Sequence, residues 1–158
     1  MQMIKRFELM VAVLFCASLA VAADTGTVTQ ATWIRGPMVV NTFTWTSDTA
    51  DGNSARGAGT AYVRGEVLRV SFVPGTGTSA PTGTYNVVVT DTNGIDILAG
   101  KGVNLSATVP WSFRPGMVCT DGTTISNLVP FAINDIPYIS VTNCGTNNRS
   151  GKIILYTR

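Results

Sequence analysis

No histidine occurs anywhere in the 158 residues. That absence removes the side chain most used for proton transfer near neutral pH and the commonest ligand of zinc, copper and iron. Most hydrolase triads and most zinc sites are excluded with it. Charge is scarce as well: 13% of residues, with 11 Lys and Arg against 9 Asp and Glu. The basic residues beyond the N-terminus, from Arg35 to Arg158, stand singly, so no phosphate-tracking stripe forms and nucleic acid is not an expected partner. Also missing, from Asp24 onward, is any sustained apolar period near 3.6, which argues against a helical protein. Carboxylate chemistry, an oxygen-ligated metal or no chemistry at all remain open.

The one long apolar run is at the start. In "MQMIKRFELMVAVLFCASLAVAA" Lys5 and Arg6 precede an apolar stretch from Leu9 to Ala23, which ends in the small residues Ala20-Val21-Ala22-Ala23 before Asp24. This is the layout of a secretory leader, helical and apolar, with cleavage expected after Ala22 or Ala23. The stretch is short for a spanning helix, which needs about 20 residues. No stable membrane association is therefore expected once it is removed. Residues 1–23 are read as the leader and 24–158 as one domain, since a chain of this length holds a single core.

Cysteine is sparse. Cys16 lies in the leader after Phe15, where a lipoprotein signal would have a small residue. Cys119 and Cys144 remain. In an oxidising compartment they are a possible disulfide, closing a loop that would stabilise by about 3 to 4 kcal/mol on the chain-entropy model. In a cytoplasm they would be two unpaired thiols.

What is abundant is Thr, Val and Gly in alternating patterns. "EVLRVSFV" places Leu68, Val70 and Phe72 on one face with Arg69 and Ser71 on the other. "KIILYTR" sets Ile153 and Leu155 against Lys152, Ile154, Tyr156 and Arg158, and "MVVNTFTWT" and "IPYISVTN" alternate in the same way. Turn clusters from Ser47, Pro74, Thr92 and Asn143 separate these stretches with Gly, Pro, Asn and Asp, which supply or fix turn φ values. Eight to ten half-buried strands in a single antiparallel β-sandwich, jelly-roll or Ig-like, are expected.

"YNVVVTDTNGIDILAGKG" crowds Asp91, Asn93 and Asp96 around Gly94. An EF-hand loop starting at Asp91 would need an oxygen ligand at Ile95, Gly at Asp96 and Glu at Gly102, so that pattern fails. A hairpin fits better: Asn93-Gly94 is a strong turn signal, Gly94 takes positive φ, and Ile95 and Ile97 resume a strand on one face. Asp96→Asn should then matter little. A metal site shared with another loop is the alternative.

A glycosidase-like carboxylate pair is not specified, because Asp48, Asp51, Asp91, Asp121 and Asp135 all lie in turn-like sequence. "GAGTAYVRG" from Gly57 opens no helix and so cradles no phosphate. No catalytic, cofactor-binding or metal-binding residue can be assigned, and no enzyme activity or cofactor is expected. Trp33, Trp45, Trp111, Tyr62, Tyr85, Tyr138 and Tyr156 could line a sugar platform; burial in a core or a subunit interface is the competing use.

The segments "VPGTGTSAPTGTYNVVVTDTNGIDILAGKG" and "PYISVTNCGTNNRSGKIILYTR" carry a resemblance. In order they present Pro74-Gly75, Ala80-Pro81-Thr82, Tyr85, Asp91 to Asp96, Leu98 to Gly100, Asn143 to Gly145 and Gly151 to Tyr156. The second half of the chain thereby resembles a group of small uncharacterised tailed-bacteriophage proteins encoded among structural genes. The resemblance implies a virion-associated β-sandwich, a capsid decoration or other accessory protein. Its partners would be virion proteins of the capsid or tail lattice, together with further copies of itself. An export leader is unexpected on a protein that assembles inside an infected cell. A secreted or periplasmic adhesion or carbohydrate-binding module is therefore the alternative to a place on the virion.

Overall fold

The computed structural model describes residues 26–48, 54–120, 125–145 and 148–158, without the side chains of 117–120 and 125–130. The expected leader, 1–23, lies outside the described residues. Within them the chain is all-β, and every strand pairing is antiparallel. No helix among the described residues is long and apolar enough to cross a membrane.

The strands are β1 (Thr27–Arg35), β2 (Met38–Thr46), β3 (Ser54–Ala58), β4 (Val63–Pro74), β5 (Asn86–Thr90), β6 (Trp111–Phe113), β7 (Gly116–Thr120), β8 (Ile125–Pro130), β9 (Ala132–Asp135), β10 (Tyr138–Thr142) and β11 (Ser150–Thr157). Among the described residues eleven strands exceed the expected eight to ten, because β6 and β9 are too short to show a period of two. The larger sheet runs β1-β2-β11-β4-β6, with β9 pairing the start of β4; a second runs β3-β10-β5, and β7-β8 form a separate hairpin.

Alternation decides the core. Phe43 and Trp45 of β2, Val70 and Phe72 of β4, and Ile153 and Leu155 of β11 point to one side of the larger sheet. There they join Ala55, Val87, Val89, Ile139 and Val141 of the smaller sheet in one buried cluster. Trp45 packs against Tyr85 with ring centres 5.6 Å apart. One inward position on β2 is polar: the Asn41 side-chain oxygen accepts hydrogen bonds from Thr32 Oγ1 (2.8 Å) and Gln30 Nε2 (3.1 Å), which ties β1 to β2 from the inner side.

Two sequence expectations need correcting. Leu68 does not share the buried face fully with Val70 and Phe72. Tyr156 pairs with Arg69 but Thr157 pairs with Val67, so a β-bulge at Leu68 turns Val67 inward instead. In the 85–102 stretch Ile95 and Ile97 do not resume a strand. Only Thr90 and Asp96 bridge, and the chain then turns back so that Val87 donates its N–H to the Gly102 carbonyl. Ile97 is buried, whereas Ile95 sits at the turn, beyond the core, and is exposed.

Candidate functional site

The first hairpin was not anticipated. Arg35 pairs with Met38 across a two-residue Gly36-Pro37 turn in which Gly36 takes φ +61°, the geometry that a tight hairpin requires at its first corner. The turn carries the tip of the hairpin past the core. Trp33 is left 65% exposed and Ile34 78% exposed, while Met38 is only partly covered.

Register then decides which side chains meet on the outer face of the larger sheet. Trp33 stands opposite Val40, Val40 opposite Tyr156, and Tyr156 opposite Arg69, one row across four strands. The next row is Ala31, Thr42, Ile154 and Ser71, and the one after it Thr29, Thr44, Lys152 and Val73. The first row, with Thr42 and Ile154 of the second and with Arg35 and Met38, lines a groove of about 560 Å³. Trp33 and Tyr156 lie two strands apart, about 10 Å at the spacing of a sheet. The Arg69 guanidinium carbon is 3.9 Å from the centre of the Tyr156 ring, a cation–π contact worth about 0.5–1 kcal/mol where solvent reaches it.

The groove is cationic. Arg35 and Arg69 line it and no carboxylate does. Glu66, three residues before Arg69, is committed elsewhere: Arg114 and Arg158 donate to its two oxygens at 2.8 and 3.2 Å. Desolvation disfavours its charge, but those hydrogen bonds and the two positive charges outweigh it and hold its carboxyl below the ordinary value.

The remaining sequence candidates disperse. The Asp91 carboxylate accepts the N–H groups of Asn93 (2.9 Å) and Ile95 (2.8 Å), closing its own turn, and Gly94 follows at φ +80°. Asp96 caps the next turn with both oxygens, accepting from Leu98 N–H (2.9 Å) and Gly100 N–H (2.8 Å). Asp135 takes both the hydroxyl (2.6 Å) and the N–H (2.8 Å) of Thr92. These bonds, the hydroxyl's first, keep its carboxyl below the usual range despite partial desolvation. Among the described residues no three His, Cys, Asp or Glu gather as a metal would need. Asp51 and Asp121 lie outside the described residues.

The aromatics divide as well. Trp45 and Tyr85 are core, and burial pushes the Tyr85 phenol up to about 12. Trp111 stacks at the sheet edge on Phe72 and Phe113, Tyr62 lies beside Arg64, and Tyr138 is on the smaller sheet. Trp33 and Tyr156 share the outer face of the larger sheet. Cys144 is buried and its thiol is pushed up by desolvation; the side chain of Cys119, its expected partner, lies outside the described residues.

No protein-family model, curated protein or solved structure matches this chain. The outer face therefore carries the functional argument. Its side chains offer aromatic and apolar contact and positive charge.

Proposed function

We propose that the protein is a non-enzymatic virion accessory protein, a capsid decoration or similar particle-surface β-sandwich of jelly-roll or Ig-like type. It would meet its lattice through the outer face of the larger sheet and associate with further copies of itself. The observation that supports this most is the exposed tip of the β1–β2 hairpin beside the groove. Trp33 and Met38 share the outer face there and are large, apolar and exposed, and exposed apolar surface of this kind marks interaction sites. The phage resemblance of the second half supplies the particle; the hairpin supplies the face.

The experiment is mass spectrometry of purified particles and of the host culture's secreted fraction. The protein should be found in the particles. Trp33→Ala and Tyr156→Ala should lower particle occupancy roughly 30-fold, the loss of a central aromatic contact, with unchanged circular dichroism. Recovery only in the secreted fraction would overturn the virion reading. Full occupancy by both variants would overturn the choice of face.

A secreted adhesion or carbohydrate-binding module is the second reading. It is favoured by Trp33 and Tyr156 lying on one open face, an arrangement on which sugar rings stack. Glycan-array binding lost in the same variants would select it.

A further inference from the structure

The geometry points to β1 as a dimerisation edge that pairs antiparallel with β1 of a second copy about a two-fold axis at Ala31. This deepens the self-association in the reading above, but it stands on β1's free backbone rather than on the groove.

The free groups follow from the ladder. Ser47 N–H donates to the Arg149 carbonyl, continuing the series in which odd-numbered residues of β2 bond to β11. The even-numbered residues of β2 therefore bond to β1, and their partners are the odd-numbered residues of β1. The two-residue Gly36-Pro37 turn requires the same phase, with Arg35 and Met38 as the hydrogen-bonded closing pair. The N–H and C=O groups of Val28, Gln30, Thr32 and Ile34 thus face away from the sheet. None of these groups has a backbone partner among the described residues.

Such an edge is a template for another strand unless something guards it. Gly57 of β3 lies against Val28, and Thr60 and Ala61 N–H donate to the Gln30 side-chain oxygen at 2.7 and 2.9 Å, but neither segment takes a backbone group of β1. The other edges of the two main sheets are guarded or short. Leu105 and Tyr85 exchange two backbone hydrogen bonds and Val87 bonds to Gly102, which covers β5; β6 has three residues and β3 five. β1 has nine, "TVTQATWIR", without proline, glycine, bulge or any charge before Arg35.

The strand is self-complementary in one register above others. Pairing about Ala31 sets Val28 against Ile34 and Gln30 against Thr32, so all four free residues of each copy are used. Moving the axis to Gln30 or Thr32 leaves a free residue at one end without a strand partner. About Ala31 the 78%-exposed Ile34 meets the partner's Val28 on the inner side, and Trp33 lies against the partner's Thr29 on the outer side. The smallest side chain of the strand sits at the axis. The two Arg35 residues end eight residues apart along the strand, about 27 Å, so like charges do not oppose.

Cysteine scanning on the full chain tests this, with the parent chain as blank. Residues facing each other in a non-hydrogen-bonded pair have Cα atoms about 4.5 Å apart, within disulfide range. Ala31→Cys should therefore form a reducible dimer under mild oxidation. Thr29→Cys should not, because its two copies would lie about 14 Å apart along the strand. Sedimentation should show a concentration-dependent dimer, with a dissociation constant raised about tenfold or more by Ile34→Lys, a charged edge residue that costs the monomer little. A monomer at every concentration, or cross-linking of Thr29→Cys as efficient as that of Ala31→Cys, would overturn the proposal. A dimer that forms normally in chains absent from particles would instead count against the virion reading alone.

Discussion

Two glycines separate backbone strain from side-chain space. An added Cβ would meet nothing within 4 Å at either Gly94 or Gly83, but Gly94 lies at φ +80° whereas Gly83 is outside the left-handed region. Gly94→Ala should therefore cost only the left-handed term, about 1–2 kcal/mol. Gly83→Ala should be neutral or stabilise by up to about 1 kcal/mol, through the entropy of the unfolded chain. The same methyl group added at the two sites should thus differ by about 1–3 kcal/mol. Urea unfolding followed by tryptophan fluorescence reads this directly, since Trp45 is buried. With a slope near 2 kcal/mol/M, Gly94→Ala should lower the midpoint by roughly 0.5–1 M, and Gly94→Val should lower it further because β-branching adds strain. Midpoints for the two alanine variants within experimental error of each other would refute the turn assignment. So would a rise in melting temperature on adding calcium, since the Asp91 carboxylate is already directed at its own turn.

Three other outcomes are expected. Asp96→Asn should destabilise by about 1 kcal/mol, because Leu98 and Gly100 N–H bond to different carboxylate oxygens and the amide puts a donor NH2 in place of one of them; a change below a few tenths would show that the cap contributes nothing. The folded-state pKa of Glu66 lies below its ordinary value of 4.5, so its contribution is present above pH 4.5 and is lost as pH falls through the folded value. Glu66→Gln should therefore flatten the acid limb of stability below pH 4.5, read by denaturation at stepped pH. Tyr85 is shifted the other way, from 10.0 to about 12, so its contribution holds below pH 10 and is lost as pH rises toward 12, on the order of 2 kcal/mol. Tyr85→Phe should remove that part of the alkaline limb, and an unchanged limb would place the phenol in water.

Where a strand is regular, its faces were legible. Ile153 and Leu155 are buried and Lys152, Ile154, Tyr156 and Arg158 are outward, as their alternation required, because β11 keeps one register with β2 throughout. In β4 the alternation breaks at Leu68. A bulge inserts a residue without altering composition, so Val67 and Leu68, both apolar, are interchangeable to a pattern of period two. Asp96 was illegible for a related reason: its oxygens accept N–H groups two and four residues ahead, in a turn where the pattern called for a strand. Half of the groove was illegible, since Arg69 and Tyr156 come from strands far apart in the chain and meet only through the β4–β11 pairing. One signal was available: Gly-Pro between "TWIR" and "MVVN" marks a tight hairpin, which would have placed Trp33 opposite Val40.

The edge and the groove share β1, and that sharing has a geometric consequence. A two-fold axis normal to the sheet, at Ala31, keeps each outer face outward, so the pairing would join two larger sheets into one continuous surface bearing two grooves. The two Trp33 side chains would stand four residues apart along the joined strands, about 14 Å. A lattice with repeating contact points could engage both grooves at once, and the second contact, being intramolecular, would add avidity without a new kind of bond. Single-site affinity and particle occupancy should then separate. Ile34→Lys, which touches the edge and spares the groove lining, should leave binding of one groove unchanged while lowering occupancy on the particle, whereas Trp33→Ala should lower both.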